Sequence, residues 1–247
     1  HQKEIVTEVT QSSYQQNFSD LSDKISKCKN YNDWINVYKQ LVHWELELSS
    51  TDSSMTEMLK MQKEDANIGF AKFIKENYLS WVKPAQPETE KDNLRNMINA
   101  RNTSNKQSQQ SERPMMSPDV FKKRIFPLLS EGSKVFLIVL DNFRYDQWRM
   151  LAQEIGDMFD ISEELYYSIL PTATQYARNA IFSGLMPNKI AEMFPELWVD
   201  EDEEEGKNLN EGPLIQTQID RYRRKNTFSY HKINDSNGAE RFLNQFK

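Results

Sequence analysis

Apolar positions fall at helical spacing over the first third of the chain and in short blocks over the remainder. Tyr14, Phe18, Leu21, Ile25 and Cys28 recur at intervals of four and three, laying one narrow seam along a helix. After Asn32, the residues Trp34, Val37, Tyr38, Leu41, Trp44 and Leu48 share one side of a second helix. The turn-forming run 49–54 then leads into a longer helix from about Met55 to Trp81, through Met58, Leu59, Ala66, Phe70, Phe73 and Ile74, with Pro84 ending it. Residues 1–83 therefore read as a three-helix bundle domain whose aromatic seam is core. Burying each large side chain contributes roughly 1.5–3 kcal/mol, so all three helices must take part. Residues 84–113 are rich in Gln, Asn, Ser, Lys and Glu and read as a flexible linker, with one helical turn available around Leu94, Met97 and Ile98.

From residue 114 to 247 the pattern changes to alternating blocks. Ser117-Pro118 supplies an N-cap and a first-turn proline for a helix through Val120, Phe121 and Ile125 that ends near Pro127. The run Val135–Leu140 is short, apolar and β-branched, the signature of a strand buried on both faces. A helix from about Tyr145 to Phe159, an extended stretch from Tyr166 to Leu170 and a helix from Thr174 follow. Next come a short helix around Lys189 to Met193, a helix through Leu214, Ile215 and Ile219, a strand from Phe228 to Ile233 and a final helix. This alternation predicts an α/β fold with a mainly parallel sheet flanked by helices. The acidic run Asp200–Glu205 reads as a solvated loop.

Candidate chemistry centres on Asp141 and Thr174. Asp141 closes the first apolar run, where the ligand crevice of an open α/β sheet lies. Thr174 opens a helix, facing the positive end of its dipole and a row of unpaired N–H groups, which suits an oxygen that must hold a phosphate. From the residues alone, the favoured reading is an N-capping Thr174 and an Asp141 that caps the helix after its strand. Arg178 lies one turn beyond Thr174, able to pair with a phosphate oxygen or to form a salt bridge within the domain; Asn142 is a second phosphate candidate. Arg144 and Asp146 read as a mutual pair or as caps of the next helix.

The Asp141-ending run, the sequence Pro171-Thr-Ala-Thr174 opening a helix, and Ser183-Gly-Leu-Met-Pro187 resemble the start of the alkaline phosphatase superfamily core. More specifically, Asp141–Trp148 with Ile169–Phe182 resembles the PglZ domain of PorX-like response regulators, and Tyr38–Leu48, Gln62–Asn67 and Phe70–Tyr78 resemble the helical domain of those proteins. The resemblance implies a zinc-dependent phosphoesterase, acting on phosphodiesters of nucleotide type. Thr174 would be the nucleophile, Asp141 and Thr174 ligands of one of two zinc ions, and the N–H groups around Gln175 would help hold nonbridging oxygens. It implies an upstream receiver domain, a sensor kinase and a circuit governing type IX secretion, and is compatible with a homodimer. On this resemblance the chain is expected to be a piece of the protein, inactive alone because the remaining metal ligands are absent. The rival class is a non-catalytic interaction module that passes a receiver's signal to protein partners.

Composition narrows the field only modestly. A net charge of -6 argues against a general nucleic-acid coat. The one cysteine, Cys28, reads as a small apolar helix residue in a reducing compartment. Three histidines, His1, His43 and His231, are too few for a two-zinc site. No apolar stretch approaches the roughly 20 residues of a membrane span, so a cytoplasmic setting is expected. A doubly wound nucleotide-binding domain is disfavoured because no Gly-rich loop follows the first apolar run.

Overall fold

A computed structural model describes residues 2–49, 54–83, 113–199, 208–234 and 236–244. Pro84, the linker up to residue 112 and the acidic run Asp200–Glu205 lie outside the described residues. Two compact units divide the chain: His1–Pro114 with Asn142–Leu165, and Met115–Asp141 with Tyr166–Lys247.

In the first unit, α1 (Gln2–Lys27), α2 (Tyr31–Leu48) and α3 (Ser54–Val82) pack against one another. The second helix begins one residue before Asn32. Asn30 caps it, its side-chain oxygen accepting from the N–H groups of Asn32 and Asp33 at 2.9 and 3.1 Å, while Asp33 accepts from the Asn30 N–H at 3.2 Å. Trp34, Val37, Leu41, Trp44 and Leu48 are buried at their 3.6-residue spacing, and Tyr14, Leu21, Leu59, Ala66, Phe73 and Trp81 close the core. One polar side chain sits among them. Gln62 accepts from the Tyr14 hydroxyl at 2.7 Å and donates to the Phe18 carbonyl and Ser22 Oγ at 2.9 and 2.7 Å, so its amide is satisfied and pins α1 to α3. Gly69 lets the Trp34 ring approach: a Cβ there would lie 2.8 Å from it.

Helix α5 (Tyr145–Ile155) belongs to this unit. Arg144 and Asp146 at its start pair with each other at 2.6 Å. Glu163 gathers the rest. Its carboxylate accepts from Tyr145 OH at 2.7 Å and Trp148 Nε1 at 3.0 Å, and pairs with Lys39 of α2 at 3.1 Å and Arg149 at 3.5 Å. Burial would raise its pKa, but the donors from Tyr145, Lys39 and Trp148 outweigh that and hold the carboxyl below the usual range.

In the second unit, α4 (Phe126–Ser130), α6 (Thr174–Ser183), α7 (Pro187–Met193), α8 (Glu211–Arg221) and α9 (Ser236–Asn244) are the helices. Phe121, Phe126, Ile181, Phe182, Ile190, Leu214, Ile215 and Ile219 form the core, chiefly where α6 packs on α8. The helix expected from Ser117 takes another form. Ser117–Asp119 is a 3₁₀ turn and Phe121–Ile125 a π-helical turn, and α4 continues past Pro127. Pro127 has no N–H to give the preceding turn; the Phe126 N–H reaches back five residues to the Phe121 carbonyl, widening the helix there. Ser117 does not cap. Its hydroxyl accepts from the Ile169 N–H at 3.1 Å, while Asp119 caps by accepting from the Met116 N–H at 2.9 Å.

The expected parallel sheet is absent from the described residues, which contain no β-strand. The α/β reading is thereby overturned: the described residues outside the helices pair only at one isolated parallel bridge, Met116 with Tyr167. Val135–Leu140 has no regular structure, and Phe136–Leu140 are exposed, Phe136 at 79 % and Ile138 at 78 %. Phe228–Ile233 forms no strand either. A strand exists only through ladder bonds to a neighbour, and neither apolar content nor β-branching within one segment supplies that neighbour. No helix of the described residues is long and apolar enough to cross a membrane.

Candidate functional site

The second unit brings Asp141, Thr174 and Arg178 together. Ala173, with extended backbone, occupies the N-cap of α6, and the Ala177 N–H donates to its carbonyl at 3.0 Å. Thr174 is therefore the first helical residue, and no side chain caps this end. Its hydroxyl is directed at Asp141, with Oγ1 3.4 and 3.5 Å from the two carboxylate oxygens. Gln175 follows in the first turn, where N–H groups have no intrahelical acceptor. The Leu170–Pro171 peptide preceding this turn is cis.

The Ser183–Pro187 motif has a mechanical explanation. Gly184 takes the left-handed conformation, φ 65°, that ends α6, and Pro187 starts α7 in the first-turn position where a missing N–H costs nothing. Ser183 Oγ accepts from the Leu185 N–H at 3.1 Å, fixing the corner. A side chain at 184 would collide with the buried Gln218 amide of α8. The motif thus sets α6 against α8.

Arg178 is one turn along α6 and only 17 % exposed. Its Nη1 donates to Asp141 Oδ2 at 3.1 Å, and its Nη2 pairs with Glu211 Oε1. Of the two roles open to it from sequence, the salt bridge within the domain is formed in this structure. Glu211, the first residue of α8, is 1 % exposed; its other oxygen accepts from the Tyr230 hydroxyl, and Lys232 Nζ lies 4.0 Å away. Burial first, then the hydrogen bond that Tyr230 donates to Glu211 and the charge of that carboxylate, push the Tyr230 pKa well up, so the phenol remains a donor. Asn142, directly after Asp141, takes the left-handed conformation with φ 55°.

Glu211, Tyr230 and Lys232 escaped the sequence reading. An acid in the first helical turn reads as an ordinary complement to the dipole, and nothing local pairs it with Arg178, 33 residues earlier. His231 is exposed, its ring 5.0 Å from that of Phe242, and His43 is exposed beside Trp44.

As a cation site, the Asp141–Thr174 pair has suitable donors and spacing. Two oxygens each about 2.0–2.2 Å from one tetrahedral zinc lie about 3.3–3.6 Å apart, the separation found here. They make half a coordination shell. No group of three or more His, Cys, Asp and Glu side chains that could hold a metal occurs among the described residues.

Residues 120–244 match the BREX system PglZ alkaline phosphatase-like domain. The chain belongs to this family. Residues 4–82 match the PorX response regulator linker domain, so this PglZ chain has the two-part organisation of a PorX-like regulator. Asp141, Thr174, Arg178, Glu211 and Tyr230 all fall within the PglZ match, and α1 to α3 nearly coincide with the linker match. A comparison with curated protein sequences gives no match.

Proposed function

We propose that this PglZ chain serves a metal-dependent phosphoesterase acting on phosphodiesters, with nucleotides or oligonucleotides as the substrate class and Thr174 as the nucleophile. The reading is supported chiefly by one observation: the Thr174 hydroxyl opens a helix and points at a half-exposed carboxylate, 3.4 Å away, instead of capping. Asp141 and Thr174 would hold one of two zinc ions, the remaining ligands lying outside the described groups. When bound, the metal would lower the pKa of the alcohol and stabilise charge on phosphorus oxygens. Thr174 Oγ1, having released its proton to solvent, bonds to phosphorus as the bond to the leaving oxygen breaks. The leaving oxygen takes a proton from water, and a water molecule then attacks the threonyl phosphodiester, releasing the phosphomonoester and restoring the Thr174 hydroxyl. The first-turn N–H groups at Thr174 and Gln175 face the nonbridging oxygens. In the regulatory setting proposed, the helical unit receives its input from a receiver domain answering to a sensor kinase, in the cytoplasm, and the output bears on type IX secretion.

One observation favours the rival reading of a non-catalytic interaction module. Arg178 already neutralises Asp141, and a carboxylate paired with the protein's own cation has less call for a metal. Metal analysis of the full-length protein, combined with turnover of bis-para-nitrophenyl phosphate, separates the two. Bound zinc with turnover that a chelator abolishes supports the enzyme; absence of both supports the module.

A further inference from the structure

Arg178 is held from two sides, and the two holders differ in kind. Asp141 is half-exposed at the opening of α6, whereas Glu211 is fully enclosed. A buried carboxylate stripped of its partner is strongly destabilising, so Glu211 retains Arg178 whatever happens at Asp141. The Tyr230 hydroxyl occupies the second Glu211 oxygen, and the Tyr230 ring packs edge-on against Phe182, 6.4 Å between centroids. The carboxylate is therefore fixed at both oxygens. Nη1 of the guanidinium donates to the same Asp141 oxygen that lies 3.4 Å from the Thr174 hydroxyl, and Arg178 sits four residues beyond Thr174, a rise of about 6 Å along the helix axis.

We propose that Glu211, with Tyr230, is a positioning pair that fixes Arg178 as a phosphate clamp beside Thr174. The inference rests on the phosphoesterase reading and adds two residues to it. When a cation satisfies Asp141, the Nη1 edge loses its competitor and is free for a nonbridging phosphate oxygen, while Nη2 stays with Glu211. Arg rather than Lys is required, because one planar group must serve two acceptors in fixed directions.

The test uses the full-length protein with zinc, bis-para-nitrophenyl phosphate as substrate and inorganic phosphate as the binding probe, followed by calorimetry. Glu211→Gln keeps the shape and removes the charge; Tyr230→Phe removes one donor; Arg178→Ala removes the clamp. Expected for E211Q and R178A alike is a rise of about tenfold in KM and in the phosphate Kd, with kcat within about threefold. Y230F should raise both about threefold, and the E211Q/R178A double variant should be no worse than R178A, since the acid acts only through the arginine. A folded E211Q with unchanged KM and phosphate Kd overturns the proposal, as does additive loss in the double variant. Wild-type protein that binds no phosphate also overturns it. Activity surviving in Thr174→Ala, with the phosphate effects intact, instead removes the nucleophile and leaves the clamp standing.

Discussion

Glu163 in the helical unit and Glu211 in the phosphatase-like unit are both carboxylates gathered in by donors from distant parts of the sequence. Their donors behave differently. Tyr145, Trp148, Lys39 and Arg149 converge on Glu163, which ties α5 to α2 and the bundle. Arg178 does not stop at Glu211; it extends to Asp141 and so to Thr174. The first is a closed knot of donors within the helical unit, whereas the second has one open edge that reaches the proposed nucleophile. The same contrast separates the apolar parts. Trp34, Val37, Leu41, Trp44 and Leu48 of the bundle are buried, although Tyr38 and Phe70 of the expected apolar side are exposed at 45 % and 36 %, while Phe136–Leu140, next to the open edge, are all exposed.

The largest effect should come from the open edge itself. Thr174→Ala in the full-length protein is expected to lower phosphodiester turnover about a thousandfold or more, with the unfolding temperature held within about 2 °C, measured by steady-state kinetics and thermal denaturation. Next is Glu211→Ala. Removing a 1 % exposed carboxylate leaves the Nη2 edge of the 17 % exposed Arg178 and the Tyr230 hydroxyl without their acceptor, costing about 3 kcal/mol in denaturant unfolding even though Asp141 still holds Nη1. A loss below about 1 kcal/mol would erase the distinction between the two knots.

Glu163→Ala should cost about 2 kcal/mol, from several hydrogen bonds to one charged group, without touching turnover. Its pH dependence has a definite sign. Because the folded carboxyl titrates below its unfolded value near 4.3, its contribution is complete above that value and is lost as pH falls through the lower folded pKa. Unfolding curves between pH 6 and 3 should therefore show a steeper acid loss in wild type than in Glu163→Gln; parallel curves would contradict the assignment. Smallest is Tyr14→Phe, which takes one donor from buried Gln62 and should cost about 1 kcal/mol in the helical unit.

How much was legible in the sequence follows from the range of the forces involved. Trp34, Val37, Leu41, Trp44 and Leu48 repeat within one helix, and a repeat of that kind fixes which face is buried without knowledge of any partner. Val135–Leu140 carries the composition of a buried strand, but pairing is a property of two segments, and the sheet inferred from this one is not formed. Ser117 shows the same limit on a smaller scale, since its hydroxyl serves Ile169, 52 residues away, instead of its own helix. Thr174 and Asp141 stood out because a local motif marks each of them. Glu211 could not, because only the packing of α6 on α8 gives it Arg178.

The central claim, that the Thr174 oxygen attacks phosphorus beside Asp141, is tested most directly by quenching the full-length protein with acid during turnover of bis-para-nitrophenyl phosphate and mapping phosphorylated peptides by mass spectrometry. A covalent para-nitrophenyl phosphoryl adduct on Thr174 that is absent from Thr174→Ala and Asp141→Asn is the predicted result. Turnover at an undiminished rate in Thr174→Ala, with no adduct on Thr174 in wild type, would contradict it.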